Sequence, residues 1–144
     1  MASGSEQIVI DRPVGEVWAI HTNPDTILKV SVNTIRYEPQ GPMRKGTRIN
    51  GATKVVGKTV NWEADVEEFV ELRGYRLRSV VAPIDWVLSY TYQPYGRSTL
   101  VTAEQEALNL DGFFGKISEK IIVFRYRRDL RKNLANLKVL IEAS

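Results

Sequence analysis

Most of the chain alternates between apolar and polar residues with the period of two that is typical of half-buried β-strands. The clearest case is residues 59–72, whose apolar set is Val60, Trp62, Ala64 and Val66. Similar stretches, separated by turn signals, occupy residues 34–40, 46–56, 75–81, 86–92 and 98–108. With short links between them, the six strands predict an antiparallel meander that has one apolar and one charged face.

Helical signals lie on both sides of this meander. A β-branched run predicts a first strand at residues 6–11, and the prolines and apolar spacing after it predict short helices at 13–21 and 25–30. The last 34 residues, 111–144, contain no proline, and Asp111 is a suitable N-cap for a long helix. About 30 helical residues span about 45 Å, enough to cross the whole sheet.

Two apolar stripes on this last helix point in different directions. One contains Val123, Leu130, Leu134, Leu137 and Ile141, and the other contains Ile117, Ile121 and Phe124. A straight helix cannot bury both stripes against one partner, so the pattern predicts a kink, two-sided burial or an exposed apolar mouth.

The composition fits one globular α+β domain over residues 1–144, with residues 1–5 expected to be disordered. The chain lacks cysteine, has one histidine and carries a net charge of only +3, so we predict neither a metal site nor a cofactor. No apolar run is long enough for a membrane span and no secretion signal is present, so we expect a cytoplasmic protein, either a monomer or a homodimer.

Two segments carry a resemblance to a known family: IVIDRPVGEVWAI at residues 8–20 and LRKNLANLKVLIE at residues 130–142. With the element order, they resemble the START-like superfamily of polyketide cyclases, dehydrases and lipid-transfer proteins, also called SRPBCC. The resemblance implies a helix-grip fold, in which a curved sheet of about seven strands wraps the long C-terminal helix and leaves a cavity. The members of this superfamily share no universal catalytic motif, so the resemblance does not imply a particular reaction.

A sheet bent around a single helix leaves a space that the helix alone cannot fill. We therefore expect a cavity for a small hydrophobic ligand, although for any single residue ordinary core packing is the favoured interpretation. The predicted lining residues are Trp62, Val66, Leu77, Trp86, Leu88, Tyr90, Tyr92, Phe113, Val123 and Arg127. Phe113 belongs to a GFFG segment at 112–115 that could gate the cavity or fasten the helix to the sheet.

The remaining polar residues offer little catalytic chemistry. His21 ends a short helix, where an imidazolium would be favourable, and it has no partner for a triad or a metal cluster. Glu104 could enter the cavity as an acid or base, but its strand position fits a surface residue better. Arg127 could reach a polar group of the ligand or extend to solvent.

Three functions remain open at this stage. The first is binding or transport of a small hydrophobic molecule such as a lipid, polyketide or quinone. The second is a cyclase, aromatase or dehydrase that holds a polyketide-like substrate, with Tyr90, Tyr92, Arg127 or Glu104 as polar groups. The third is a weak contact of the basic run at residues 125–132 with an acidic partner, an anionic membrane or RNA.

Overall fold

The computed structural model describes residues 2–55, 57–108 and 119–144. Its elements in chain order are β1 (Ala2–Ile10), α1 (Val14–His21), α2 (Pro24–Val30), β2 (Thr34–Pro39), β3 (Arg48–Val55), β4 (Lys58–Val70), β5 (Gly74–Val81), β6 (Trp86–Tyr95), β7 (Ser98–Ala107) and α3 (Glu119–Glu142). The predicted α+β helix-grip fold is confirmed, including the two short helices after the first strand.

The seven strands form one antiparallel sheet in the order β1-β7-β6-β5-β4-β3-β2. Only the β1–β7 pair joins strands distant in sequence, because β2 to β7 form the predicted meander. Register shifts on β4, between Glu63 and Ala64 and between Val66 and Glu68, mark bulges in its pairing with β5. Bulges bend a strand and increase its twist, which helps to curl the sheet into a half-barrel.

The concave face of the sheet carries the core. Trp62, Ala64 and Val66 of β4 are buried, while Glu63, Asp65 and Glu67 between them are partly exposed. On the convex face these carboxylates meet arginines of neighbouring strands, for example Arg48 Nε with Asp65 Oδ1 at 2.5 Å. Such half-exposed pairs contribute little to stability, so burial on the concave face is the main force that fixes the register.

The first strand begins earlier than the sequence predicted. Residues 2–5, expected to be disordered, extend β1 and pair with residues 104–107 of β7. Ala2 is buried at 1% exposure, and Gly4 lies so close to α3 that an added Cβ would be 3.0 Å from Arg127 Cγ. This polar, glycine-containing segment carries no strand signal of its own, because its order comes from pairing and from contact with α3.

Helix α3 packs across β1 through one buried stripe: Leu130, Leu134, Leu137 and Ile141. In the second predicted stripe, Ile121 and Phe124 are 51% and 65% exposed. Of the three predicted alternatives, this exposure fits an exposed apolar mouth. Ile117, the predicted N-cap Asp111 and the segment 112–115 lie outside the described residues.

Candidate functional site

A cavity of about 690 Å³ lies between the concave face of the sheet and the first half of α3. Strands β2 to β7, helix α2 and the turn between β5 and β6 supply the rest of its wall. Pockets for small organic molecules are typically about 300–1,000 Å³. The part of α3 that lines the cavity runs from Ile121 to Asn133, while Leu134, Leu137 and Ile141 farther along the helix belong to the packed core.

Two tryptophans form much of the apolar wall. The rings of Trp62 and Trp86 meet edge to face with their centroids 5.1 Å apart. Trp62 Nε1 donates a hydrogen bond to Thr53 Oγ1 at 2.9 Å, so the indole N–H is satisfied inside the protein. Leu77 and Leu88 continue the apolar surface on β5 and β6.

Three tyrosines supply the polar part of the inner wall. Tyr37, Tyr75 and Tyr90 line the cavity with side chains that are at most 7% exposed. Within the part of the chain that the structure describes, none of their hydroxyl groups has a hydrogen-bond partner. Buried phenols normally have one, so a molecule in the cavity would find unused donors here.

Burial also fixes the protonation of these phenols. Desolvation raises the pKa of Tyr90 to about 12, and it also raises the pKa values of Tyr37 and Tyr75 above that of an ordinary tyrosine. Desolvation raises the pKa of Tyr126 on α3, which also lines the cavity, to about 12. At neutral pH all four are therefore neutral hydroxyls that donate hydrogen bonds and do not act as bases.

His21 lies beneath this tyrosine cluster and not at the surface. It is 2% exposed, its Nδ1 is hydrogen-bonded to the hydroxyl of Tyr92, and its ring meets Tyr90 edge to face at 4.5 Å. Desolvation lowers the pKa of His21 to about 3. The predicted imidazolium at a helix end is therefore wrong, because packing of α1 against β6 buries the ring in its neutral form.

The α3 side of the cavity is more polar than the sheet side. Ile122 is buried, while Arg125, Arg128 and Lys132 line the cavity and reach solvent. Asp129 accepts a hydrogen bond from Asn33 Nδ2 at 3.3 Å and lies 3.4 Å from Arg128 Nε. Among the described lining residues, Asp129 is the only carboxylate.

The structure brings together half of the ten predicted lining residues. Trp62, Leu77, Trp86, Leu88 and Tyr90 line the cavity. Val66 and Tyr92 are buried in the core but do not line the cavity. Phe113 lies outside the described residues. Glu104, the candidate acid or base whose strand position fitted a surface residue better, is exposed on the opposite face of β7 from Ala103.

The two remaining predicted lining residues, Val123 and Arg127, lie on α3. Neither lines the cavity, and Arg127 Nε instead lies 3.2 Å from Glu6 Oε1 on β1. Leu130 of the buried stripe also lines the cavity, and so do residues 121, 125, 128 and 132, which form a second stripe. Sequence periodicity could find these stripes, but it could not say which one faced the cavity.

Sequence reasoning also missed Tyr37, Tyr75 and the α3 residues Ile122, Arg125 and Tyr126. The alternation of β5 could have predicted Tyr75 as a lining residue, because Tyr75 shares a face of the strand with Leu77. Tyr37 gave a weaker signal, because the short strand β2 has no clean alternation.

Two other kinds of site are absent from the residues that the structure describes. In the described ranges, no group of three or more His, Asp or Glu side chains is arranged to hold a metal ion. None of the helices found there combines the length and apolar character needed to cross a membrane.

Solved structures with the same fold are numerous but distant in sequence. A crystal structure of a protein from Thermus thermophilus matches with a TM-score of 0.84 at 17% identity, covering 98% of this chain and 97% of that one. The Zhui aromatase/cyclase from Streptomyces sp. R1128 matches with a TM-score of 0.72 at 12% identity, covering 97% and 93%. A START superfamily protein from Mycobacterium smegmatis matches with 0.79 at 9%, covering 99% of both chains.

No curated protein matches the chain by sequence. The solved structures described above, all below 25% identity, establish the fold alone. A family model described as polyketide cyclase / dehydrase and lipid transport, however, matches residues 1–142, which is nearly the entire chain. The resemblance noted in the sequence is thereby confirmed, and the chain belongs to the polyketide cyclase/dehydrase and lipid transport family.

Proposed function

We propose that this protein binds or carries a small hydrophobic molecule in the cavity between the sheet and α3. The observation that carries the proposal is the cavity of about 690 Å³ between the sheet and α3, whose sheet side includes the apolar side chains of Trp62, Trp86, Leu77 and Leu88. Apolar surface left in contact with water inside a cavity is unfavourable, so an apolar occupant stabilises the folded protein.

The chemistry of the wall favours binding over acid–base catalysis. The four lining tyrosines are neutral donors, and His21 is a neutral ring buried behind them. Asp129 is engaged by Asn33 and Arg128. A general acid or base works best with a pKa near the operating pH, and neither the four tyrosines nor His21 meets that need.

The experiment uses N-phenyl-1-naphthylamine, a neutral dye that fluoresces in apolar surroundings, together with native mass spectrometry of the purified protein. The cavity-filling variant Leu88→Trp should bind the dye at least about fivefold more weakly while keeping its melting temperature. Val80→Trp is the matched control, because Val80 is 48% exposed on the adjacent strand β5.

Two results would contradict the proposal. One is a wild-type protein that binds no dye and carries no molecule through purification. The other is a Leu88→Trp variant that folds normally and binds the dye as tightly as wild type, which would place the dye elsewhere.

The second candidate function is a cyclase or aromatase reaction in the same cavity. Its support is the cluster of Tyr37, Tyr75 and Tyr90, whose free hydroxyls could hold the carbonyl oxygens of a polyketide-like chain in a reactive shape. Simultaneous Tyr→Phe substitution at the three positions should abolish conversion of a reactive poly-β-ketone while leaving dye binding intact. If this variant converts the substrate as fast as wild type, the three tyrosine hydroxyls are not needed for the reaction.

A further inference from the structure

Four basic residues, which we call the basic rim, lie where the cavity meets solvent: Lys54, Arg125, Arg128 and Lys132. All four line the cavity, and all four are at least partly exposed. Arg125, Arg128 and Lys132 fall on one helical stripe at spacings of three and four residues. Lys54 comes from β3, so the charge is gathered from two separate parts of the fold.

The charges of the basic rim are largely uncompensated. Among the described residues, Lys54, Arg125 and Lys132 have no carboxylate within ion-pair distance. Arg128 has only its sequence neighbour Asp129, at 3.4 Å. Like charges three and four residues apart on one helix repel each other, so the stripe destabilises α3 unless an anion is present.

The basic residues on the β1 side of the same helix are arranged differently. Arg127 and Arg131 share Glu6 Oε1 of β1 at 3.2 and 2.9 Å, and Lys138 pairs with Glu142. Uncompensated charge on the described part of α3 is therefore concentrated where the helix borders the cavity. If the basic residues served only to keep the helix soluble, we would expect no such difference in ion pairing between its two sides.

The cavity thus has two chemically distinct regions. Its inner wall is apolar and aromatic around Trp62 and Trp86, with neutral phenol donors, and its border with solvent carries the basic rim beside exposed apolar residues such as Ile121. We infer that the ligand is an anionic amphiphile, with an apolar body inside the cavity and one carboxylate or phosphate group held by the basic rim. The inference rests on the proposed function, because it specifies the chemical class of that ligand.

The test measures displacement of N-phenyl-1-naphthylamine by three ten-carbon compounds at about pH 8: decanoate, decyl phosphate and 1-decanol. We expect both anions to displace the dye at concentrations at least about tenfold below that of the alcohol. This advantage should shrink as sodium chloride rises from about 20 to about 500 mM, because salt screens exposed charges. The ranking of decanoate and decyl phosphate identifies which head group the rim prefers.

The double variant Arg125→Gln, Lys132→Gln should reduce the advantage of the anions to less than about threefold and leave 1-decanol unchanged. The double variant Lys45→Gln, Arg97→Gln is its control, since it has the same net charge and its altered side chains are exposed away from the cavity. The control should behave as wild type.

The outcomes separate this inference from the proposed function. If the dye binds and 1-decanol displaces it as well as the anions do, the inference is overturned while the proposed function stands. An equal loss of anion affinity in both double variants also overturns it, because general attraction by net charge would then suffice. If neither the dye nor any of the three compounds binds, the proposed function falls and the inference falls with it.

Discussion

The indole ring of Trp62 lies directly over Gly51 on the neighbouring strand. The two residues are cross-strand partners in the β3–β4 pair, and a Cβ added to Gly51 would come within 2.2 Å of Trp62 Cζ2. The absence of a side chain at position 51 therefore leaves room for the indole ring of Trp62 against strand β3. In that position Trp62 reaches both Thr53 and Trp86.

We predict that Gly51→Ala displaces Trp62 and lowers the free energy of unfolding by about 1–3 kcal/mol, the usual cost of overpacking a core. Affinity for N-phenyl-1-naphthylamine should fall as well, because Trp62 forms part of the cavity wall. Urea denaturation and dye titration measure the two effects.

Gly15→Ala is the control for this substitution. Gly15 lies in α1 with nothing within 4 Å of an added Cβ, so alanine there should raise stability by about 0.5–1 kcal/mol. A Gly51→Ala protein as stable as wild type would show that the space over Gly51 is not needed.

Tyr90 and Tyr92 lie two residues apart on β6 and face the same side of the sheet, but their hydroxyls have different surroundings. The hydroxyl of Tyr92 is bonded to His21, while that of Tyr90 has no partner among the described residues. Tyr92→Phe should therefore cost about 1–3 kcal/mol, because it leaves the buried His21 Nδ1 unpaired. Tyr90→Phe should change stability by less than about 0.5 kcal/mol.

Each of these two variants serves as the control for the other. Denaturant titration measures the difference in stability, and equal losses in both would contradict the assigned hydrogen bond. Tyr90→Phe should in addition weaken binding of a ligand that carries a carbonyl group while leaving binding of a pure hydrocarbon unchanged.

The buried His21 predicts a pH dependence of stability in mildly acidic solution. Its pKa is about 3 in the folded protein and near 6.5 in the unfolded chain, so between these values the unfolded chain binds the extra proton. Stability contributed by neutral His21 is full above about pH 6.5 and is lost as the pH falls toward about 3. The expected slope approaches about 1.4 kcal/mol per pH unit below about pH 6.

Urea denaturation between about pH 7 and 5 measures this slope before most carboxylates titrate, and His21→Gln should remove most of it. The chain has a single histidine, so a signal from the imidazole C–H protons in NMR reports the site directly. If this signal titrates with a midpoint at about pH 6.5 in the folded protein, the His21 ring is not desolvated.

Glu6 holds α3 against β1 through Arg127 and Arg131. Its side chain is only 15% exposed, while the two arginines are 53% and 66% exposed. We predict that Glu6→Gln lowers stability by about 0.5–1 kcal/mol at low salt and by less at high salt. Glu104→Gln, on the exposed face of β7, should have no measurable effect, and a similar loss there would assign the effect to net charge.

Local pattern in the chain was enough to predict the strands, the helices and the buried face of most strands. Alternation on β4 to β6 correctly pointed Trp62, Leu77, Trp86, Leu88 and Tyr90 inward, because a period of two fixes the two faces once one of them is apolar. The resemblance at residues 8–20 and 130–142 supplied the architecture.

Other features depended on contacts between distant parts of the chain. The close approach of Gly4 to Arg127 turns the side of α3 that carries Arg127 toward β1. Arg125, Arg128 and Lys132 then border the cavity. Packing of α1 on β6 buries His21, and pairing with β7 orders residues 2–5. These three features have one cause in common: periodicity sets which residues share a face, while burial, protonation and exposure depend on what lies opposite that face.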